Sequence, residues 1–170
     1  GDVPAVRAGT LLYLHGGAYC VGSPATHRAL TARLAQGTGV PVFAADYRLA
    51  PEHPFPAALD DALAAYRALR QRGPVVVAGD SAGGGLALSL ALALREAGEE
   101  QPAGLLLLSP WADMAPDTLP PEPPGEAMLS AAWAQACAAH YLGNPPDQRA
   151  WVTSPLKADL RDLPPVLIQA

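Results

Sequence analysis

Lysine is almost missing from this sequence: Lys157 is the single one among 170 residues, and no run of basic residues occurs. With a formal charge of −5, the chain lacks the basic patch that binds a phosphate backbone, which argues against a nucleic-acid partner. Long apolar runs are missing as well. The longest weakly polar stretch, Gly83 to Leu94, is about twelve residues and too short to span a bilayer. The chain opens on a polar, Pro-containing stretch with no basic segment leading into an apolar one. It shows no secretory signal, so a cytoplasmic location is expected. Cysteine is scarce: Cys20 and Cys137 lack metal or redox spacing. They are expected as free thiols in or near the core. No metal and no cofactor is implied. What remains is ordinary for a soluble globular protein, half apolar and 16% charged, and long enough for one domain over 1–170 with a real core.

Along the chain, short apolar runs alternate with helical patterns. Thr10 to Leu14 ends at His15-Gly16-Gly17. Thr26 stands where an N-cap would, ahead of Leu30 and Leu34, and Gly37 and Gly39 close that helix. Pro41 to Ala45 is the next run. Leu59, Leu63, Tyr66 and Leu69 then follow helical spacing, from near Pro56 to Gly73-Pro74. Val75-Val76-Val77 is uniformly β-branched, as a strand buried on both faces should be. From Gly83 to Leu94 the leucines alternate as in a strand, but Ala fills the gaps and the segment is long for a strand. It is read as a helix buried all round. Leu105 to Leu108 and Pro165 to Gln169 are further strands. Between them lie a Pro-rich loop, Ser109 to Gly125, and an Ala-rich helix, Glu126 to Leu142. This excursion over 109–142 is long enough to be a cap or lid. Alternating strands and helices predict an α/β fold, with a mostly parallel sheet and helices on both faces.

The chemistry concentrates at Gly79-Asp80-Ser81-Ala82-Gly83-Gly84, where Gly-x-Ser-x-Gly lies between a Val-rich strand and an Ala/Leu-rich helix. That is the context of a nucleophile elbow. The serine must stand on a tight turn so that its hydroxyl projects, and side chains two residues before and after it would clash. Ser81 is the candidate nucleophile. His15-Gly16-Gly17-Ala18 follows another strand and can present backbone N–H groups to the oxyanion of a tetrahedral intermediate, with the amide of Ala82. Ala18, Tyr19 and Asp80 are candidate pocket residues. Asp46 to Glu52 gathers Asp, Tyr, Arg and Glu but reads as a fixed turn braced by an Arg–carboxylate pair.

These motifs resemble those of the hormone-sensitive-lipase-like family of bacterial carboxylesterases. The likeness rests on His15-Gly16-Gly17, on Asp46-Tyr47-Arg48-Leu49-Ala50-Pro51-Glu52 with Pro54-Phe55-Pro56-Ala57-Ala58, and on the Gly79–Gly84 elbow. Ser109-Pro110-Trp111, Ser154-Pro155-Leu156 and Leu163-Pro164-Pro165 follow in the same order. The resemblance implies the α/β-hydrolase fold, Ser81 as nucleophile, and Gly16, Gly17 and Ala82 as oxyanion donors. Ala18 stands where many members carry a third glycine. The implied activity is hydrolysis of small carboxylic esters through an acyl-enzyme.

A serine needs a base, and the base an orienting acid. In this fold they follow the serine in the order acid, then His. His140 alone follows Ser81, inside the Ala-rich helix, where a solvated or capping role is expected. His27 and His53 are expected at the surface or in turns, and His15 bracing its own loop. The resemblance places the acid and base beyond Ala170 and further strands before Thr10. The chain therefore reads as an internal fragment, with its fold incomplete at both ends. Two alternatives share the motifs: a non-catalytic small-ligand binder on the same scaffold, and a lactonase or amidase. The sequence does not reveal an oligomeric state.

Overall fold

The computed structural model describes residues 9–114, 130–143 and 154–170. Five short apolar segments form one parallel sheet: β1 (Thr10–Leu14), β2 (Val42–Ala44), β3 (Val75–Asp80), β4 (Gly104–Leu108) and β5 (Val166–Gln169). Parallel neighbours need crossovers. Among the described residues, four α-helices lie between the strands: α1 (Arg28–Thr38), α2 (Ala57–Arg70), α3 (Ala82–Glu96) and α4 (Ala131–Leu142).

The spatial order is β2-β1-β3-β4-β5. The chain builds outward from β1 to β2, then returns past β1 to lay down β3 and the rest. Helices on either side of such a reversal diverge, and a crevice opens at the carboxyl ends of the two strands that flank it. Here those strands are β1, which ends in His15-Gly16-Gly17, and β3, which ends in Ser81.

The pleat sends alternate residues to opposite faces. Leu12 and Leu14 of β1 join Val77, Leu105 and Leu107 in the larger core, closed by Leu59, Leu63 and Tyr66 of α2 and Leu86 and Leu90 of α3. Leu11, Tyr13 and Ala78 face the other way and pack with Leu30 and Leu34 of α1. Helices thus cover both faces. Helix α3 is buried at every position from Ala82 to Leu92 and again at Leu94. Its leucines alternate because every side meets protein, and the alanines between them let the helix approach the sheet.

Three local expectations need correction. Helix α1 is not capped by Thr26: its N-cap is His27, which makes no side-chain capping bond. The Thr26 hydroxyl is spent in the preceding turn, donating to the Ser23 carbonyl at 2.7 Å and accepting from the Ser23 amide at 3.0 Å. Gly37 lies inside the helix, and Gly39 alone ends it, at φ 70° with its amide on the Ala35 carbonyl. Helix α4 starts at Ala131 and not at Glu126, because Ser130 is extended and its side chain accepts from the Trp133 amide at 3.1 Å. Residues 115–129, which hold most of the expected Pro-rich loop and the first residues of the expected Glu126 to Leu142 helix, lie outside the described residues.

At the sheet edges Phe43 of β2 and Val166, Leu167 and Ile168 of β5 are exposed. Among the described residues, no helix is long and apolar enough to cross a membrane.

Candidate active site

Ser81 alone makes the turn from β3 to α3, at φ 50° and ψ −119°. A non-glycine residue held there carries strain on the order of 1–3 kcal/mol, which persists only where the surroundings fix it. The Ser81 amide donates to the Leu108 carbonyl at 2.9 Å, and the Ser81 carbonyl accepts from Gly85 at 3.1 Å and Trp111 at 2.8 Å. The backbone is fully engaged while the side chain stays half-buried. A Cβ at Gly79 would stand 2.4 Å from the Gly83 carbonyl, the clash across the turn that the motif predicts. At Gly83 the obstacle is different: its Cβ would come within 2.0 Å of the Leu14 carbonyl oxygen. That glycine lets the start of α3 lie directly against the end of β1.

The segment after β1 turns back on itself. Gly17, Ala18 and Tyr19 all have positive φ, at 126°, 52° and 63°. The Gly17 carbonyl accepts from the amides of Cys20 at 3.0 Å and Val21 at 2.9 Å. His15 is buried; its Nδ1 donates to the Gly16 carbonyl at 2.8 Å, which leaves Nε2 as an unpartnered acceptor. Its expected role, bracing its own loop, holds. The Asp46–Glu52 stretch clamps this loop from behind. Tyr47 stacks on His15 at 4.3 Å and donates its hydroxyl to the His15 carbonyl at 2.6 Å, and the Ala50 amide donates to the Tyr19 carbonyl at 2.9 Å. Arg48 forks onto Asp61 of α2, with Nη2 to Oδ1 at 2.8 Å and Nε to Oδ2 at 2.9 Å.

Asp80 and Gly16 depart from the sequence reading together. Asp80, expected in the pocket, is a knot beneath the loop: its Oδ1 accepts from the Tyr13 hydroxyl at 2.7 Å and the Gly16 amide at 2.9 Å. The Gly16 amide, expected to hold an oxyanion, is therefore already spent. Gly16 is a glycine because a Cβ there would meet Asp80 Oδ2 at 2.2 Å. Among the described residues, no acceptor engages the amides of Gly17, Ala18 or Ala82. Ala82 opens α3, where the helix dipole favours negative charge. Those three open amides and the Ser81 hydroxyl are the groups this edge offers to a polarised carbonyl.

Tyr19, also expected in the pocket, is 1% exposed and acts as packing. Its ring stacks on Tyr141 of α4 at 3.7 Å and tilts against Trp111 at 6.4 Å. Ala18 is buried beside it. Cys20 and Cys137 are free, as expected, yet they adjoin: Cys20 Sγ donates to the Cys137 carbonyl at 3.8 Å.

His27 lies in the turn ahead of α1, as expected, and is only partly exposed. Its Nε2 lies 3.3 Å from each oxygen of Asp80, and its ring is 5.6 Å from that of His15. His53 is exposed, and His140 is exposed in the last turn of α4. Asp113 accepts from the Ser154 hydroxyl and lies 3.6 Å from Lys157 Nζ. Sequence reasoning missed Tyr13, His27 and Tyr47 as parts of one site. They come from separate segments, and the pairing of β1 with β2 and β3 brings them together. Burial, then the nearby Asp80 charge, pushes the Tyr13 and Tyr47 hydroxyls well above their ordinary range, so both stay protonated donors.

The family model of the alpha/beta hydrolase fold matches residues 11–170. The chain is 46% identical to an acetyl-hydrolase of Streptomyces hygroscopicus, over 98% of this chain and 58% of that protein. It is 41% identical to the putative acetyl-hydrolase LipR of Mycobacterium tuberculosis, over 97% of this chain and 55% of that one. Among solved structures, EstE5 soaked by ethyl alcohol superposes with a TM-score of 0.88 at 40% identity, covering 98% of this chain and 58% of that one. An esterase from the bacterial hormone-sensitive lipase family superposes with a TM-score of 0.82 at 42% identity, over the same 98% and 58%. The chain thus spans a little over half the length of these relatives. It belongs to the α/β-hydrolase family, and the solved structures it resembles include an esterase of the bacterial hormone-sensitive lipase family.

Proposed function

We infer that the whole protein is a carboxylic ester hydrolase acting through an acyl-enzyme on Ser81. The observation that carries this is the pairing of a strained, hydrogen-bonded elbow at Ser81 with a neighbouring loop that leaves two amides open. Ser81 Oγ attacks the ester carbonyl carbon as a base takes its proton, and the carbonyl π electrons move onto oxygen. The amides of Gly17, Ala18 and Ala82 receive that oxyanion, with Ala18 taking the place first expected for Gly16. Collapse expels the alkoxide, which leaves with the proton, and water repeats the sequence on the acyl-enzyme.

The base and its acid are assigned to residues outside this chain. His15 is buried against Tyr47, His27 turns its Nε2 to Asp80, and His53 and His140 are exposed. The 109–142 excursion is assigned the role of a cover over the acyl site. In support, Ala112 and Met114 join the core and Tyr141 stacks on Tyr19 beside the open amides. Small acyl groups are the proposed substrates, because the relatives at 46% and 41% identity are acetyl-hydrolases by name.

The test is turnover of p-nitrophenyl acetate by the whole protein. Ser81→Ala is expected to lower kcat by roughly 10⁴-fold or more, and an unchanged rate overturns the assignment. A ligand binder on the same scaffold would show no turnover at all. A lactonase or amidase would prefer its own substrate class in side-by-side kcat/KM measurements.

A further inference from the structure

Three polar groups from separate segments converge on one carboxylate. Asp80 Oδ1 takes the Tyr13 hydroxyl from β1 at 2.7 Å and the Gly16 amide from the following loop at 2.9 Å. His27 Nε2 stands 3.3 Å from both oxygens. A carboxylate only accepts, so Nε2 is the nitrogen that carries the proton. On its far side the imidazole lies against the turn that precedes α1, with Nδ1 2.9 Å from Thr26 Oγ1. The His27 side chain is 19% exposed and that of Asp80 27%, so water competes only partly for these bonds.

Asp80 is covalently adjacent to Ser81. The Asp80 carboxylate therefore ties the residue beside the nucleophile to the Gly16 amide, which lies one or two peptides from Gly17 and Ala18. The carboxylate can rotate about its own side-chain bonds, and any rotation shifts Gly16. Tyr13 and His27 approach it from different elements, and together they leave it one orientation. Acyl transfer depends on such fixing, because a misplacement of about 1 Å can cost on the order of 10²-fold in rate.

We propose that His27 is a positioning residue of the acyl-transfer site: with Tyr13 it fixes the Asp80 carboxylate, and through Gly16 it sets the Gly17 and Ala18 amides against Ser81. The assignment rests on the reading of Ser81 as an esterase nucleophile. It makes His27 neither a base nor a substrate contact, and it gives the turn over residues 23–27 the function of aiming that imidazole.

The whole protein is assayed on p-nitrophenyl acetate, and inhibition by a phenylboronic acid, which mimics the tetrahedral oxyanion, is measured alongside. His27→Leu should lower kcat about tenfold with KM nearly unchanged, and weaken boronate binding in parallel. Tyr13→Phe, which removes one hydroxyl from a buried ring, should act in the same direction. Asp80→Ala should lose on the order of 10²-fold in kcat. His27→Gln, which keeps an N–H donor, should recover kcat to within about threefold of the unmodified protein. If His27→Leu does not fold, Tyr13→Phe and His27→Gln decide the matter. The proposal is overturned if Tyr13→Phe and His27→Leu keep full kcat and boronate affinity, or if their losses fall on KM alone. Failure of Ser81→Ala to abolish turnover would overturn the esterase reading instead, so the two outcomes are separable.

Discussion

Two glycine-to-alanine substitutions in helices should have opposite effects. Gly83 lies in the first turn of α3, and an added Cβ would stand 2.0 Å from the Leu14 carbonyl oxygen and 2.7 Å from that of His15. Both obstacles are backbone, so no side chain can swing aside. Ordinary contact begins at 3.4 Å, so α3 and the end of β1 must separate by about 1.4 Å. Strand β1 is hydrogen-bonded to β2 on one side and β3 on the other, which blocks an easy retreat. Overpacking of this kind costs about 1–3 kcal/mol, or a fall of roughly 2–4 °C in Tm per kcal/mol for a domain of 150–250 residues. The same displacement carries His15 to Ala18 away from Ser81, so kcat should drop on the order of 10²-fold. Gly37, exposed within α1, has nothing within 4 Å of its added Cβ and no unusual φ. Gly37→Ala should stabilise by about 0.5–1 kcal/mol through helix propensity, with kcat unchanged. Thermal melts and p-nitrophenyl acetate turnover of the two variants make the comparison. Wild-type Tm and kcat in Gly83→Ala would refute the claim that this glycine sets the distance between loop and nucleophile.

Two further outcomes follow from buried titratable groups. Desolvation holds His15 below its ordinary value of 6.5. As pH falls through 6.5 the unfolded chain takes up a proton that the fold does not, so stability is full above that value and declines below it. Tm should drop between pH 6.5 and 5, and His15→Gln should flatten that window; a flat profile in the unmodified protein would contradict the burial. Asp61, lowered by its Arg48 partner, contributes only at more acidic pH, and its stabilisation is lost as pH falls through the carboxylate range. Burial pushes the Cys20 thiol up to about 12, so at pH 8 the thiolate fraction is on the order of 10⁻⁴. Site-resolved alkylation of Cys20 by iodoacetamide at pH 8 should run roughly a thousandfold slower in the fold than in urea; rapid labelling of the folded protein would sink the assignment.

The sheet was legible because its strands are short and uniformly apolar and the turns between them are marked by Gly and Pro. Helix α3 was legible despite alternating leucines, because Ala at the intervening positions favours a helix and length excludes a single strand. Caps were less so: Thr26 and Ser130 are both good N-cap residues, and only the hydrogen bonds show that one is spent on Ser23 while the other caps α4. The elbow could be read because its requirements are local. The use of individual amides could not. Whether Gly16 points at a substrate or at Asp80 depends on a residue 64 positions away, and no local pattern carries that distance. For His27 the turn could be read but its partner could not: Asp80 is 53 positions away.

Backbone strain marks the same edge independently. Among the described residues, the non-glycine residues with positive φ are Ala18, Tyr19, Ser81, Ser109 and Asp162. The first two follow β1, Ser81 follows β3 and Ser109 follows β4, so four of the five stand at the carboxyl ends of adjacent strands. Such a conformation costs about 1–2 kcal/mol for each L-residue. A fold under no further demand would place glycine there or avoid the turn. Instead each is tied down: Ala18 and Tyr19 lie in the turn closed on the Gly17 carbonyl, Ser81 bonds to Leu108 and Trp111, and the Ser109 amide donates to the Gln169 carbonyl at 2.6 Å. At Ser81 and Ser109 the strain is held by bonds to the neighbouring strand, so loosening one turn loosens the next. Rate losses at Gly16, Asp80 and Gly83 should therefore be non-additive when the substitutions are combined, because all three report on one rigid edge.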